Sequence, residues 1–160
     1  MYINTRALPR AQLIDRAVIV SSGEAAWEAI HAPDFDPSST VVVQGGEALP
    51  DAAGAGPRSL SFWHVSTNRV ELNVQTPSPT YLILSDVFYP GWTATIDDQP
   101  ADVLPANFAF RAVRVPAGSH RVRMRFEPAS WSWGLIISSI TGAGLLVWIG
   151  LRWRRPVLAP

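Results

Sequence analysis

Two short acidic motifs contain residue types that commonly bind metal ions. Asp34-Phe35-Asp36 has the spacing of a DxD motif, in which carboxylates hold a divalent cation against a nucleotide phosphate. The following Pro37 and serines also suit a turn, because Asp is a favoured turn residue. Asp97-Asp98 offers two adjacent carboxylates, far short of the about 6–8 oxygen ligands that Ca²⁺ takes. We therefore expect turns at both motifs, and neither a metal site nor a cofactor.

The remaining catalytic residue types form no recognisable constellation. The three histidines, His31, His64 and His120, have no metal-ligand spacing and belong to no evident Ser-His-Asp arrangement. The chain has no cysteine, which excludes thiolate metal sites and disulfides. We therefore predict no catalytic residue and do not expect this chain to be an enzyme by itself.

One aromatic and polar set has the chemistry of a glycan-binding site. Aromatic faces stack on sugar rings, while Asn and Arg form hydrogen bonds with hydroxyls or phosphates. On this basis we predict ligand-binding roles for Tyr89, Trp92, Asn107 and Arg111, close to Phe108. The alternative is that these side chains build the fold, because large aromatic residues dominate core energetics.

The composition limits the classes of function that these residues can serve. The 160 residues leave room for one domain and a membrane segment. The 13 basic and 13 acidic side chains cancel, so no overall field favours nucleic acid. Charged residues make up only 16% of the chain, below the roughly 25% of soluble domains. This deficit indicates a local apolar segment.

That apolar segment lies at the C-terminus. The stretch from Trp133 to Leu151 has no charged residue, and as a helix it is about 28 Å long, close to the thickness of a bilayer core. Trp residues flank it on both sides, as is typical of headgroup regions. We therefore predict a transmembrane helix over 131–152. Its small residues, Gly134, Ser138 and Gly142, recur every fourth position and suggest partner helices of the same or another protein.

The charges after the span predict its orientation. Arg152-Trp153-Arg154-Arg155 follows directly, and such clusters stay in the cytoplasm. Residues 1–128 would then be extracytoplasmic and 153–160 a cytoplasmic tail, in a bacterial cytoplasmic membrane. Residues 1–20 lack the pattern of a secretory signal, so we expect the chain to be part of a larger polytopic protein. A tail-anchored protein with a cytoplasmic domain is the competing topology.

The region before the membrane has the pattern of an all-β domain. Short apolar runs alternate with Pro and Gly, and in 121–126 Val122, Met124 and Phe126 face one way and three arginines the other. We predict an antiparallel β-sandwich of jelly-roll or carbohydrate-module type over 1–128, with a flexible loop at about 45–57. The arginines either meet anionic headgroups or remain solvated. The predicted strands are 40–44, 59–65, 70–74, 81–85, 92–96, 102–104, 110–115 and 121–126.

One short helix is predicted over Ser22–Ala32. Ser21 and Glu24 have the spacing of a capping box, in which each side chain bonds the other's backbone N–H. Trp27 and Ile30 lie three residues apart and could share a face.

The stretch from Leu82 to Ser138 resembles the C-terminal region of the YfhO family of bacterial membrane proteins. The resemblance rests on motifs that stand here as Ser85-Asp86, Tyr89-Pro90-Gly91-Trp92, Asn107, Phe110-Arg111, Pro116-Ala117-Gly118 and His120. Upstream, 7–11 and 35–37 also look like that family's domain. The turn at Asp97-Asp98 departs from it, because a Gly is expected after the first Asp.

The resemblance implies a relationship to GT-C-like glycosyltransferases, polytopic proteins of which some use lipid-linked sugars to decorate envelope polymers. The catalytic acidic residues of such proteins are expected on early loops that this chain lacks. The leading hypothesis is therefore an extracytoplasmic accessory domain of a YfhO-like glycosyltransferase, with an envelope glycan or lipid-linked sugar as its partner and no nucleic acid. The alternatives are a stand-alone membrane-anchored glycan-binding module and a purely structural anchored domain.

Overall fold

The computed structural model describes residues 7–50 and 56–153, and the side chains of Ser132 and of 151–153 lie outside the description. The chain divides into two units, Met1–Phe126 and Glu127–Pro160. The first is a β-domain and the second contains one long helix. The predicted loop at 45–57 is irregular at 45–50 and 56–58, whereas 51–55 lie outside the described residues.

Strands dominate the described part of the β-domain, which confirms the predicted all-β class. The strands are β1 (Ala11–Ile14), β2 (Arg16–Val20), β3 (Thr40–Gln44), β4 (Ser59–Val65), β5 (Arg69–Thr76), β6 (Thr80–Val87), β7 (Trp92–Ile96), β8 (Gln99–Ala101), β9 (Leu104–Ala106), β10 (Phe110–Val115) and β11 (Gly118–Phe126). The helix α1 (Gly23–Ile30) lies between β2 and β3. The strand predicted at 102–104 is replaced by β8 and β9, and β1 and β2 were not predicted.

The strands form two sheets that pack as a sandwich. Sheet A has the order β1-β6-β10-β9-β3-β2 and sheet B the order β4-β5-β11-β7-β8. Apolar side chains from both inner faces form one core, with Leu82 and Val113 from sheet A and Leu72, Val122 and Met124 from sheet B all fully buried. The alternation predicted for the last strand is confirmed, since Val122 and Met124 are inside and Arg121 and Arg125 are exposed.

Sheet A also curls into a barrel. Its two edge strands, β1 and β2, are separated in the chain by Asp15 alone, so they are two halves of one bent strand. Because β1 pairs with β6 and β2 with β3, the curl joins the edges of the sheet. A second core fills the inside of this barrel, and it includes Val41, Val43, Tyr81, Ile83 and Ala112.

A close backbone approach holds the segment after β3 against the barrel. The hydroxyl of buried Tyr81 donates to the carbonyl of Glu47 at 2.8 Å and accepts from its N–H at 3.0 Å. Burial raises the pKa of this hydroxyl. A Cβ on Gly46 would lie 2.5 Å from the same hydroxyl oxygen, so only glycine fits there.

The pairing differs from a purely antiparallel sheet at one place. β2 and β3 are parallel, and α1 connects them as a crossover, which parallel neighbours require. The predicted capping box is wrong by one residue. Ser22 is the N-cap, and its hydroxyl accepts from Ala25 N at 3.2 Å.

The strand registers define two ends of the sandwich. At the first end β6 and β11 finish at Val87 and Phe126, while β7 and β10 begin at Trp92 and Phe110. We call this the exit end, because Phe126 is followed after two residues by the C-terminal helix. At the opposite end, the turn end, the chain reverses at 77–79, 97–98 and 116–117.

The second unit contains α2 (Ala129–Trp153), a helix of 25 residues. Its segment Ala129–Gly150 is long and apolar enough to cross a membrane, and none of it is buried within the protein. The predicted C-terminal membrane helix is thus present, although the helix begins two residues before the predicted boundary.

Candidate functional site

Arg111 lies inside the sandwich at the exit end, although its side chain was predicted to bind a ligand. It projects from β10 between the sheets and is only 3% exposed. Its Nη2 donates to Asp86 Oδ2 at 2.7 Å, and Arg10 donates to the same carboxylate at 2.9 and 2.8 Å. The hydrogen bond from Arg10, reinforced by that from Arg111, lowers the pKa of Asp86 despite partial burial.

The other face of the Arg111 guanidinium meets an aromatic ring. Its Cζ lies 3.6 Å from the centroid of Trp92, a cation–π contact that shields the charge from water. Trp92 in turn packs against Phe126 at 5.6 Å, and Phe126 against Tyr89 at 6.3 Å. Within the described residues, Nε and Nη1 of Arg111 are buried and have no hydrogen-bond partner. These contacts close this end of the sandwich. A sugar could therefore reach exposed Tyr89 but not buried Arg111.

A Pro-Gly turn places the side chain of Trp92 against Arg111. Trp92 N approaches Tyr89 O at 3.4 Å, and the two residues between them are Pro90 and Gly91. Pro fixes the backbone of the first turn residue, and Gly91 adopts a φ of 108°. This is the pattern of a type II turn, which requires a positive φ at its third residue. The sequence Tyr89-Pro90-Gly91-Trp92 therefore encodes the local geometry that positions the indole.

Asn107 serves a different purpose from the other three predicted residues. It lies in the loop between β9 and β10 with a φ of 44°. Its backbone N–H donates to Val42 O at 2.8 Å, and its side-chain Oδ1 accepts from Val42 N at 2.9 Å. The amide oxygen thereby extends the pairing between β9 and β3. The structure brings Tyr89, Trp92 and Arg111 together and leaves Asn107 bonded to β3.

The turn end contains a second charged cluster. Asp97 and Asp98 form a two-residue hairpin turn with φ values of 50° and 68°, as a type I′ turn requires. Asp97 Oδ1 accepts from Arg121 N at 2.8 Å, and its Oδ2 lies 2.6 Å from His120 Nδ1. His120 Nε2 lies 3.1 Å from Ala117 O. Both ring nitrogens thus face acceptors, and the hydrogen bond to Asp97 raises the pKa of His120.

The acidic motif at 34–36 is divided between two settings. Both carboxylate oxygens of Asp36 accept from Ser38 Oγ at 2.7 and 2.8 Å, and Ser39 Oγ donates to one of them at 2.9 Å. These hydrogen bonds hold the pKa of Asp36 below its usual value. Asp34 instead lines a shallow pocket between α1 and β2. The described ranges contain no group of three or more His, Asp or Glu placed to hold a metal ion.

The outer face of sheet B is a polar surface, of which the sequence predicted only the three arginines of the last strand. A cleft of about 210 Å³ on it is lined by Arg69, Thr93, Ala94, Thr95, Asp98, Arg123 and Arg125. A second cleft, of about 350 Å³, includes Asn73, Gln75, Ser119 and Arg121. Glu71 lies buried beneath this face, paired with Arg69 and 3.5 Å from Arg123, and Arg69 lowers its pKa.

Two residues on or near these clusters were missed from the sequence. Trp63 is 66% exposed on β4, and Arg121 Cζ lies 5.6 Å from its ring centroid. Arg10 precedes β1 and pairs with Asp86, 76 residues away. The adjacent Phe62 and Trp63 break the alternation of a half-buried strand, a signal that could have marked β4 as exposed. No local signal could have predicted the Arg10 contact.

The comparisons with known proteins identify the family. A family model described as bacterial membrane protein YfhO matches residues 54–138, more than half of the chain. The chain belongs to this family. Among curated proteins and among solved structures, none matches it.

The segment shared with the YfhO family carries both charged clusters. It spans β4 to β11 and the first part of α2, and so includes Asp86, Trp92, Arg111, Asp97 and His120. Arg10, which completes the Asp86 cluster, lies before the matched segment. Apart from Arg10, both charged clusters therefore lie within the segment that matches the family.

Proposed function

We propose that this chain is the extracytoplasmic accessory domain of a YfhO-like polytopic membrane glycosyltransferase, without a catalytic site of its own. The observation that carries this proposal is a polar, arginine-lined sheet face on a domain joined to a membrane-length helix, in a chain of a bacterial membrane protein family. Its task would be to hold an envelope acceptor or a lipid-linked sugar near membrane-embedded catalytic residues on helices of the same or a partner protein.

The chemistry of the sheet B face supports an acceptor-binding role. Arg121 and Arg125 are exposed, and the hydroxyl and amide side chains of Thr93, Thr95 and Asn73 lie on the same face. Such groups bond sugar hydroxyls and anionic substituents. The clefts are shallow. Such a surface suits a polymer that lies across it, whereas small substrates are usually enclosed in deeper cavities.

Glycan transfer in the host tests the accessory role. Deleting the β-domain from the chromosomal gene should abolish a specific sugar modification of an envelope polymer, and the unchanged gene should restore it. Arg121→Gln combined with Arg125→Gln should weaken the modification. Arg16→Gln, on β2 of sheet A, is the matched control and should leave it intact. Normal glycosylation after deletion of the β-domain would reject the proposal.

The orientation is tested separately. Because the chain has no cysteine, a single introduced cysteine is the only thiol in it that can react with a maleimide. In intact cells, Ala117→Cys at the turn end should react with a membrane-impermeant maleimide, and Val157→Cys in the tail should react only after lysis. The proposed orientation follows from the arginines at 152, 154 and 155, which the positive-inside bias assigns to the cytoplasm. The reverse labelling pattern would place the β-domain in the cytoplasm and exclude an envelope role.

A stand-alone glycan-binding module is the second candidate, and exposed Trp63 beside Arg121 favours it. Titration of the full chain in micelles with envelope saccharides should then show binding that Trp63→Ala removes. Phe62→Ala, at the neighbouring and also exposed position, is the control that should retain it. If no saccharide binds, a purely structural domain remains, in which alanine at Tyr89, Asn107 or Arg111 alters stability alone.

A further inference from the structure

The exit end of the β-domain carries an exposed apolar patch that the proposed function does not use. It consists of Trp27, Val87, Tyr89 and Phe108, which are 50%, 67%, 63% and 50% exposed. We propose that this exit-end patch rests in the headgroup layer of the bilayer that α2 enters. This lipid contact does not depend on which side of the membrane the β-domain occupies.

The patch is confined to one end of the domain. Val87 ends β6, Tyr89 follows it, and Phe108 tips the loop before β10, so all three project where the sandwich ends. Trp27 joins them through an edge-on contact with Phe108 at 5.1 Å. In the described turns of the opposite end, at 77–79, 97–98 and 116–117, no large apolar side chain is exposed. Exposed apolar area gathered at one place marks an interaction surface.

The backbone holds these side chains in the exposed position. Phe88 N donates to Ala109 O at 2.7 Å, which joins the two loops that carry the patch. Phe108 adopts a φ of 68°, a left-handed conformation that a bulky residue rarely takes. Strain of this kind persists only where the surrounding structure enforces it, so Phe108 is held in place by its loop. Tyr89 is supported from behind by Phe126 at 6.3 Å.

The covalent chain keeps the exit end close to lipid. Only Glu127 and Pro128 separate Phe126, beside Tyr89, from the first residue of α2. Phe126 and Ala129 are three residue steps apart and so at most about 11 Å from each other, and the point where the chain leaves the sandwich cannot move far from the point where α2 begins. A bilayer that α2 enters near its first residue is therefore within reach of the exit end.

The chemistry of the patch matches a headgroup layer. Tyr and Trp prefer this layer because each has an apolar ring and a polar group that can stay hydrated. The charged cluster beside the patch has a net positive charge, since one carboxylate of Asp86 faces two arginines, Arg10 and Arg111. Arg10 is partly exposed and can meet lipid phosphates.

Spin labels on the full chain in lipid nanodiscs test the proposal. Single cysteines replace Val87, Tyr89 or Phe108 in the patch, and Ala117→Cys at the turn end is the control. The nanodiscs contain phosphatidylcholine and phosphatidylglycerol, and the measurement is the collision rate of each label with dissolved oxygen and with a water-soluble nickel chelate. Relative to the control, patch labels should collide several-fold less with nickel and more with oxygen.

The outcomes separate lipid contact from its competitors. If the labels at all three patch positions behave like the label at Ala117, the patch is exposed to water and the proposal is wrong. If protection appears only in nanodiscs that hold two or more chains, the patch faces a second copy and the lipid proposal is again wrong. Near-ultraviolet circular dichroism confirms that each variant is folded, and three separate positions prevent one misfolded variant from deciding the result.

Discussion

The two ends of the β-sandwich each contain a pair of charged side chains, but the pairs differ in their exposure to water. At the exit end, Arg111 is buried and its charge is neutralised by Asp86 and covered by the ring of Trp92. At the turn end, Asp97 and His120 form a comparable pair that is partly exposed to water. Exposed apolar side chains surround the exit end, whereas the turns of the turn end consist mainly of Asp and Pro. The difference agrees with the proposed contact of the exit end with lipid headgroups and with exposure of the turn end to water.

The largest expected contrast comes from the same substitution at each end. Asp86→Asn removes the negative charge opposite a buried guanidinium and should lower the free energy of unfolding by about 3 kcal/mol. Asp97→Asn keeps an oxygen for Arg121 N and should cost less than about 1 kcal/mol, as partly exposed pairs do. Urea unfolding of the full chain in micelles, followed by tryptophan fluorescence, measures both.

A second substitution checks the cause of that contrast. Arg111→Met in the Asp86→Asn background removes the uncompensated charge, so part of the lost stability should return. Equal costs for the two single Asn variants would show that the ends do not differ in the way that burial predicts.

Asn107 provides the next largest effect and distinguishes a fold role from ligand binding. Asn107→Ala loses the bond from Val42 N and places alanine at a positive φ, so the cost should be about 2 kcal/mol. Asn107→Asp keeps an acceptor oxygen and should stay within about 0.5 kcal/mol of the parent protein. Thermal unfolding compares the two variants. If both are as stable as the parent, the side chain has no role in joining β9 to β3.

Between pH 5.5 and 8.5, the turn end should impart a pH dependence that the exit end does not. The raised pKa of His120 means that protonation favours the folded state. This contribution is fully present below the unfolded pKa of about 6.5 and is lost as the pH rises through the higher folded pKa. Stability measured between pH 5.5 and 8.5 should therefore fall slightly with rising pH, and His120→Gln should remove that slope. A slope of the opposite sign would contradict the Asp97–His120 pairing.

The smallest expected effect is an increase in stability from a substitution in the same turn. Asp98 has a φ of 68°, where glycine is free of the side-chain clash, so Asp98→Gly should relieve strain. The exposed ion pair with Arg123 would be lost at little cost. We expect a net stabilisation of about 0.5 kcal/mol, read as a higher midpoint of urea unfolding. Asp98→Ala cannot relieve the backbone and should not gain stability.

Local patterns predicted much of the fold. The bounds of β3, β4, β7 and β10 coincide with the predicted strands, because period-two alternation and the flanking turn residues are both local signals. The strand from 11 to 20 was missed because it bends at Asp15 and serves two partner strands, so its apolar residues follow no single face. The parallel pairing with β3 arises from that bend, which no local pattern reveals.

The candidate site was predicted only in part. Aromatic and polar residue types led to the prediction that Trp92 and Arg111 bind a ligand, but a residue type cannot tell a buried guanidinium from an exposed one. Burial depends on which strands face each other, and the carboxylates that neutralise charge come from distant parts of the chain. The exit-end patch was also invisible from the sequence, because it forms where several loops meet.

The sequence by itself determined the strand-forming segments, the turns and the apolar C-terminal helix, since each depends on residues that are neighbours in the chain. Only the tertiary structure decided which charges are buried, which aromatic residues remain exposed and which end of the sandwich carries them. These properties depend on contacts between residues such as Arg10 and Asp86, which are far apart in sequence and meet only when the sheets close.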